Sequence, residues 1–170
     1  MVTTLDAATL RRWCAAGVEA LDYHREEIDA LNVYPVPDGD TGTNLLLTLR
    51  GAADLLRREL PEGAGSTAAV MARGALLGAR GNSGIIVSQI LRGIAEGVSA
   101  AASAPDGQAF ADGLARAVAL AYGAVAEPVE GTVLTVARAA AEAAKRAGSD
   151  KLDVVVAAAA AGAADALRET

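Results

Sequence analysis

Residues 38–44 read Asp-Gly-Asp-Thr-Gly-Thr-Asn. Two carboxylates two positions apart in a turn can ligate Mg²⁺, which takes carboxylate oxygens together with phosphate oxygens and water. Two more glycine-bearing polar stretches follow, Gly78-Ala79-Arg80-Gly81-Asn82-Ser83-Gly84 and Glu130-Gly131-Thr132. Glycine lets an anion approach the backbone, and hydroxyls add donors. Each stretch alone has a plainer explanation. Asp38 and Asp40 suit a proline-set turn followed by a helix N-cap; residues 78–84 suit a tight interhelical turn with an Asn cap; Glu130-Gly131-Thr132 suits a cap with an acid beside it. No G-x-x-x-x-G-K-[ST] string occurs, and no strand precedes residues 78–84, so neither a P-loop nor a Rossmann fingerprint is present.

The elements that would position these loops are helices. Asp6 can cap a first helix to about Leu31, with Leu10, Trp13, Cys14, Val18 and Leu21 at helical spacing. The Pro-Val-Pro-Asp-Gly stretch breaks it. A second helix starts near Thr41, and Pro61 to Gly65 end it. Ser66 can cap a third, to about Gly78. The fourth carries Ile85, Ile86, Ile90, Leu91 and Ile94. The fifth runs from the break at Pro105–Gly107 to about Ala126. The sixth spans the stretch from Thr132 to about Ala147, and the last covers Leu152 to Leu167. Short connections favour antiparallel neighbours, so the spacing predicts an all-α antiparallel bundle of about seven helices. In such a bundle, helices two, four and six start at one end. All three polar stretches sit at those starts, where free N–H groups and positive dipole ends make an anion site. The combination predicts a Mg–nucleotide site.

Composition agrees. Of the 170 residues 52% are hydrophobic, much of that alanine, the best helix former. A net charge of −6 argues against a nucleic-acid surface. The single Cys14 excludes an internal disulfide and fits a reducing, cytoplasmic setting. No secretory signal or membrane-spanning run is read: the most apolar stretch, Ile85 to Ile94, is short and carries Arg92. His24, beside Arg25, Glu26 and Glu27, reads as a solvated surface residue, and Cys14 as core. The apolar faces exceed what seven helices cover, which leaves room for a homodimer.

Three strings carry a family resemblance: LNVYPVPDGDTGTNLLLT (31–48), LLGARGNSGIIVSQILRG (76–93) and PVEGTVLTVAR (128–138). Together they closely resemble the DhaL-type nucleotide-binding domain, in particular the N-terminal kinase domain of the fatty acid kinase large subunit. More distantly they are similar to the phosphoryl-transfer domain of dihydroxyacetone (glycerone) kinases. The resemblance implies a barrel of about eight antiparallel helices, with ATP or ADP and two Mg²⁺ ions at one end. It implies a fatty-acid-binding protein as partner, presenting an acyl carboxylate that becomes an acyl phosphate for membrane phospholipid synthesis. By the same resemblance Asp38 and Asp40 would hold metal. Thr41, Thr43 and Asn44 would lie against the nucleotide, as would Gly81, Asn82, Ser83 and Gly84 at the phosphates. Thr132 would approach from the third loop, and Arg80 would stabilise charge.

Two departures qualify the match. The glycerone-kinase pattern is D-x4-D-x-D, but Val33 stands five before Asp38. Asn32, six before, is the nearest polar residue and would be a weaker metal ligand, which favours the fatty acid kinase branch. The family's domain also continues through a further helix, so residues 1–170 are expected to be one domain lacking that helix and the domains beyond it. The alternatives are a glycerone-kinase-type phosphoryl-transfer subunit and a nucleotide-binding regulatory module without turnover.

Overall fold

A computed structural model describes residues 5–32, 37–101 and 104–169. Among them are seven helices and no strands: α1 (Ala7–Leu31), α2 (Thr41–Glu59), α3 (Ala64–Gly78), α4 (Gly81–Ala100), α5 (Gly107–Gly123), α6 (Val133–Ala147) and α7 (Leu152–Glu169). The all-α reading therefore holds. Pro35 and Val36 of the predicted Pro-Val-Pro-Asp-Gly break after α1, and Val33 at the departure from the glycerone-kinase pattern, lie outside the described residues.

Most boundaries have local causes. Asp6 accepts a hydrogen bond from the Thr9 N–H at 2.6 Å, and Asp106 accepts one from the Ala109 N–H at 3.0 Å, each satisfying a donor that the first turn leaves unpaired. Ser66 is not the cap of α3. The helix begins at Ala64 with Gly63 as N-cap, and Ser66 already lies in its first turn, donating its hydroxyl proton back to the Gly63 carbonyl at 3.0 Å. Thr67 bonds the same carbonyl at 2.7 Å. α5 ends at Gly123 rather than near Ala126, because the Ala124 N–H closes onto Leu120 and Ala121.

Each helix packs on its sequence neighbour, and α1 on α3, α2 on α4 and α5 on α7 add a second set of contacts. α1 and α7 form no substantial pair, so the described helices make a bundle with an open seam where a closed barrel would join first to last. The main core lies among α1–α5 and takes Leu10, Cys14, Leu49, Leu56, Met71, Leu91, Ile94, Val98 and Ala117. A smaller, alanine-rich core of Ala111, Ala144, Val155 and Ala159 joins α5, α6 and α7. No helix of the described residues is long and apolar enough to cross a membrane.

Glycine sets how near the helix axes come. A Cβ on Gly51 would lie 2.7 Å from the Gly74 carbonyl oxygen and 3.0 Å from the Gly78 Cα. A Cβ on Gly97 would lie 2.6 Å from the Gly113 nitrogen. Backbone contacts this close leave no room for any side chain, and backbone does not yield as a flexible side-chain end does.

Gly97→Val is expected to destabilise the fold by about 3 kcal/mol in urea unfolding. Gly123→Ala, where a Cβ meets nothing within 4 Å, is the control and should be neutral or stabilising by about 0.5 kcal/mol.

Candidate functional site

The α2 and α4 N-termini meet through buried contacts. Thr48, on the second turn of α2, is fully buried. Its hydroxyl donates to the Asn44 carbonyl at 2.7 Å and accepts from the Arg80 N–H at 3.3 Å, tying α2 to the residue that opens α4. Gly84 lies against the Thr48 hydroxyl so closely that a Cβ there would collide with it. Gly81, at φ +58°, lies against the Asn44 amide in the same way. Its left-handed backbone and the lack of space both require glycine. The α6 start belongs to the same end: Leu134 shares a buried cluster with Ile86 of α4 and Ala121 of α5. Three helix N-termini are thus gathered at one end, as the loop spacing predicts.

The three starts are satisfied differently. At α2, Asp40 is the N-cap residue, yet its side chain makes no capping bond and has no hydrogen-bond partner among the described residues. Asp29 of α1 does the capping instead. Its Oδ1 accepts from the Thr43 N–H at 3.1 Å, and its Oδ2 from the Thr43 hydroxyl at 2.8 Å. Desolvation pushes the Asp29 carboxyl up, but the bonds from Thr43 and from the Gly42 N–H outweigh it and hold its pKa below the ordinary value. Asp38 is exposed and accepts a hydrogen bond from the Asn32 amide nitrogen at 2.6 Å. As found, Asn32 orients Asp38 by donation rather than offering an oxygen beside it.

The α4 start carries no side-chain cap. Among the described residues the N–H groups of Gly81, Asn82 and Ser83 have no acceptor, and the first helical bond is Gly84 N–H to the Arg80 carbonyl, 3.0 Å. Arg80 turns away from them: its guanidinium donates to the Ala79 and Gly78 carbonyls at 2.8 and 3.4 Å, where it caps the negative end of α3.

The α6 start satisfies itself. The Thr132 hydroxyl donates to the Val129 carbonyl at 2.7 Å and accepts from the Leu134 N–H at 3.3 Å, so its proton is committed to the turn. Glu130 is held by the hydroxyls of Thr135 and Tyr122 and by both arms of Arg138. The Thr135 and Tyr122 bonds, then Arg138, keep its carboxyl below the ordinary range.

The structure brings together Asn32 with Asp38, Thr43 with Asp29, and Asn44 with Gly81. Asp40, Thr41, Asn82 and Ser83 have side chains free of hydrogen-bond partners among the described residues. Asp29 and Thr48 were not predicted. Hollows of about 320 Å³ between α3 and α4 and about 390 Å³ beside Leu5 and Pro105 include none of the loop residues. His24 is exposed and bonded to Glu27 at 2.9 Å. Cys14 is buried, and burial pushes its thiol up to about 11, which makes it unreactive.

The DAK2 domain matches residues 35–170. The chain belongs to the DAK2 domain family. DAK2 domains are part of the dihydroxyacetone kinase family, nucleotide-binding and kinase-related. Protein YloV of Bacillus subtilis is 41% identical over 141 residues, covering 83% of this chain and 25% of its own length. An uncharacterized protein of Staphylococcus saprophyticus is 41% identical over 144 residues, covering 85% and 26%. One from Staphylococcus aureus USA300 is 39% identical over 144 residues, with the same coverage. The chain spans about a quarter of the length of these curated relatives.

Thr48→Val keeps the shape but strands the Arg80 N–H. It is expected to cost about 1–2 kcal/mol in urea unfolding and to speed amide exchange at residues 80–84. Asp29 and Glu130 both have depressed folded-state values. Their contribution to stability is therefore complete above the ordinary carboxylate range and lost as pH falls through the depressed values. Glu130→Gln should flatten the acid limb of the stability–pH curve followed by circular dichroism.

Proposed function

We propose that this DAK2 domain carries out ATP- and Mg²⁺-dependent phosphoryl transfer to the carboxylate of a fatty acid presented by a separate fatty-acid-binding protein. The observation that carries the reading is the Asp40 carboxylate, unpartnered among the described residues and two residues from Asp38, at an end where the α4 N-terminus offers three N–H groups with no acceptor among the same residues. Among the described residues no three His, Cys, Asp or Glu side chains form a metal cluster. Two carboxylates, completed by phosphate oxygens and water, match the habit of Mg²⁺, which seldom uses an all-protein cage. The residues fit the ion on that ground. Asp38 and Asp40 would hold it, with the Asn32 amide oxygen as a third donor if that amide turned. Bound there, Mg²⁺ supplies charge neutralisation for the nucleotide phosphates.

The chain's own groups would do the rest. The Gly81, Asn82 and Ser83 N–H groups, at the positive end of α4, would bind phosphoryl oxygens without a change of conformation. An acceptor carboxylate oxygen would attack the γ-phosphorus in line, the bond from that phosphorus to the bridging β–γ oxygen would break, and ADP would leave with the electron pair. A carboxylate is ionised at neutral pH, so no general base is needed. That suits a loop cluster with no histidine. The acceptor assignment is further supported by exposed Leu31, Leu47, Leu76, Leu77 and Ile85 on α1–α4, which suit contact with an apolar acyl carrier.

Calorimetric titration with ADP tests the site. Binding should require Mg²⁺, vanish in EDTA and vanish in Asp38→Ala, while that variant stays folded because an exposed turn residue contributes only ~1 kcal/mol. Undiminished ADP binding by Asp38→Ala would sink the assignment. The acceptor is tested by supplying labelled ATP with a lipid-loaded carrier or a dihydroxyacetone-loaded one. Label should pass to the lipid.

A further inference from the structure

We propose that Asp29 is a positioning residue for the metal-binding pair: it takes over the cap of α2 from the neighbouring helix and so keeps the Asp40 carboxylate free. This rests on the reading of Asp38 and Asp40 as Mg²⁺ ligands.

Asp is among the best N-cap residues, and its ordinary role is to accept from the second or third helical N–H. Asp40 stands at that position, and its own carbonyl already accepts the first helical bond, from the Asn44 N–H at 2.8 Å. The acceptor for the Thr43 N–H is nonetheless Asp29, fourteen residues earlier. Both of its oxygens are used, one on the Thr43 N–H and one on the Thr43 hydroxyl, so the tie fixes orientation as well as distance. Gly42 makes the approach possible: a Cβ there would collide with the Arg25 carbonyl and lie 3.1 Å from Asp29 Oδ1. A carboxylate engaged in capping has a lone pair and an orientation committed to the backbone. One relieved of that task can turn to a cation.

Asp29 also lies one turn before Asn32, the residue whose amide donates to Asp38. The last turn of α1 therefore governs both acids, Asp38 through a donated hydrogen bond and Asp40 through release from the cap. A plain helix–helix tie would account for the Thr43 bonds, but not for an Asp at the N-cap that leaves its own helix uncapped.

The test combines a stability cycle in EDTA with Mn²⁺ binding followed by electron paramagnetic resonance, on the full chain. Asp40→Ala should leave the urea midpoint unchanged in the wild-type background. It should lower the midpoint in the Asp29→Ala background, where Asp40 turns inward to cap. Asp29→Ala should weaken Mn²⁺ binding about tenfold, a usual loss for a residue that orients a ligand. Asp29→Asn keeps an acceptor for the Thr43 N–H and should restore most of the affinity. If Asp40→Ala lowers the midpoint in the wild-type background as a lost cap would, Asp40 is the cap and the inference fails, whether or not Asp29→Ala folds. Wild-type Mn²⁺ affinity in a folded Asp29→Ala, or equal loss in Asp29→Asn, overturns it too, with the metal reading intact. A wild-type chain that binds no Mn²⁺ overturns the Asp38–Asp40 reading itself.

Discussion

Everything at the polar end depends on how closely three helix backbones run. Gly51, Gly74 and Gly78 let α2 and α3 touch main chain to main chain. That contact carries the α3–α4 connection over the second turn of α2, where the Thr48 hydroxyl meets the Arg80 N–H. With larger residues the axes would separate and the helix starts would no longer share an end. The small side chains that give this protein its unusual composition are therefore the means by which two N-termini are held together, and the large apolar residues do the stabilising around them.

The same end shows three solutions to one problem, the unpaired donors of a first turn. α6 solves it internally, through Thr132 and the bonded Glu130 cluster. α2 borrows a carboxylate from α1. α4 leaves it unsolved among the described residues. A helix that caps itself has little left for a ligand, whereas one that is uncapped retains its field and its donors. On the function proposed above, the second polar stretch would face the anion and the first the cation, with the third bracing them.

Much of this was legible in the residues. Proline, glycine and aspartate mark every break, and helical spacing of leucine and isoleucine marks the buried faces, so element order follows directly. The alignment of the three polar stretches follows from short loops alone. Asp29 was not legible, because it sits among Arg25, Glu26 and Glu27, where a charge reads as a solvated face; only the packing of α1 on α2 shows which of these charges turns inward. Thr48 was hidden in a leucine-rich run, although it stands four residues after Asn44 on one helix face. Ser66 was misplaced as a cap because a glycine following Pro61 and Glu62 turned the chain first. Whether a hydroxyl such as that of Thr132 is spent on its own turn is decided by a few tenths of an ångström, which no spacing rule contains.

The open seam between α1 and α7 has a kinetic meaning. Every substantial contact in the bundle joins helices that are adjacent or next but one along the chain. Few distant segments must find one another, so the loop-closure entropy that slows folding is small, and assembly should be fast for a domain of this size. It should also be directional. The core around Met71, drawn from α1–α5, takes no residue from α6 or α7, and it can form while they are still being synthesised. The alanine core they complete is smaller and should open first in the native state, making the C-terminal helices the region where backbone amides exchange soonest with solvent.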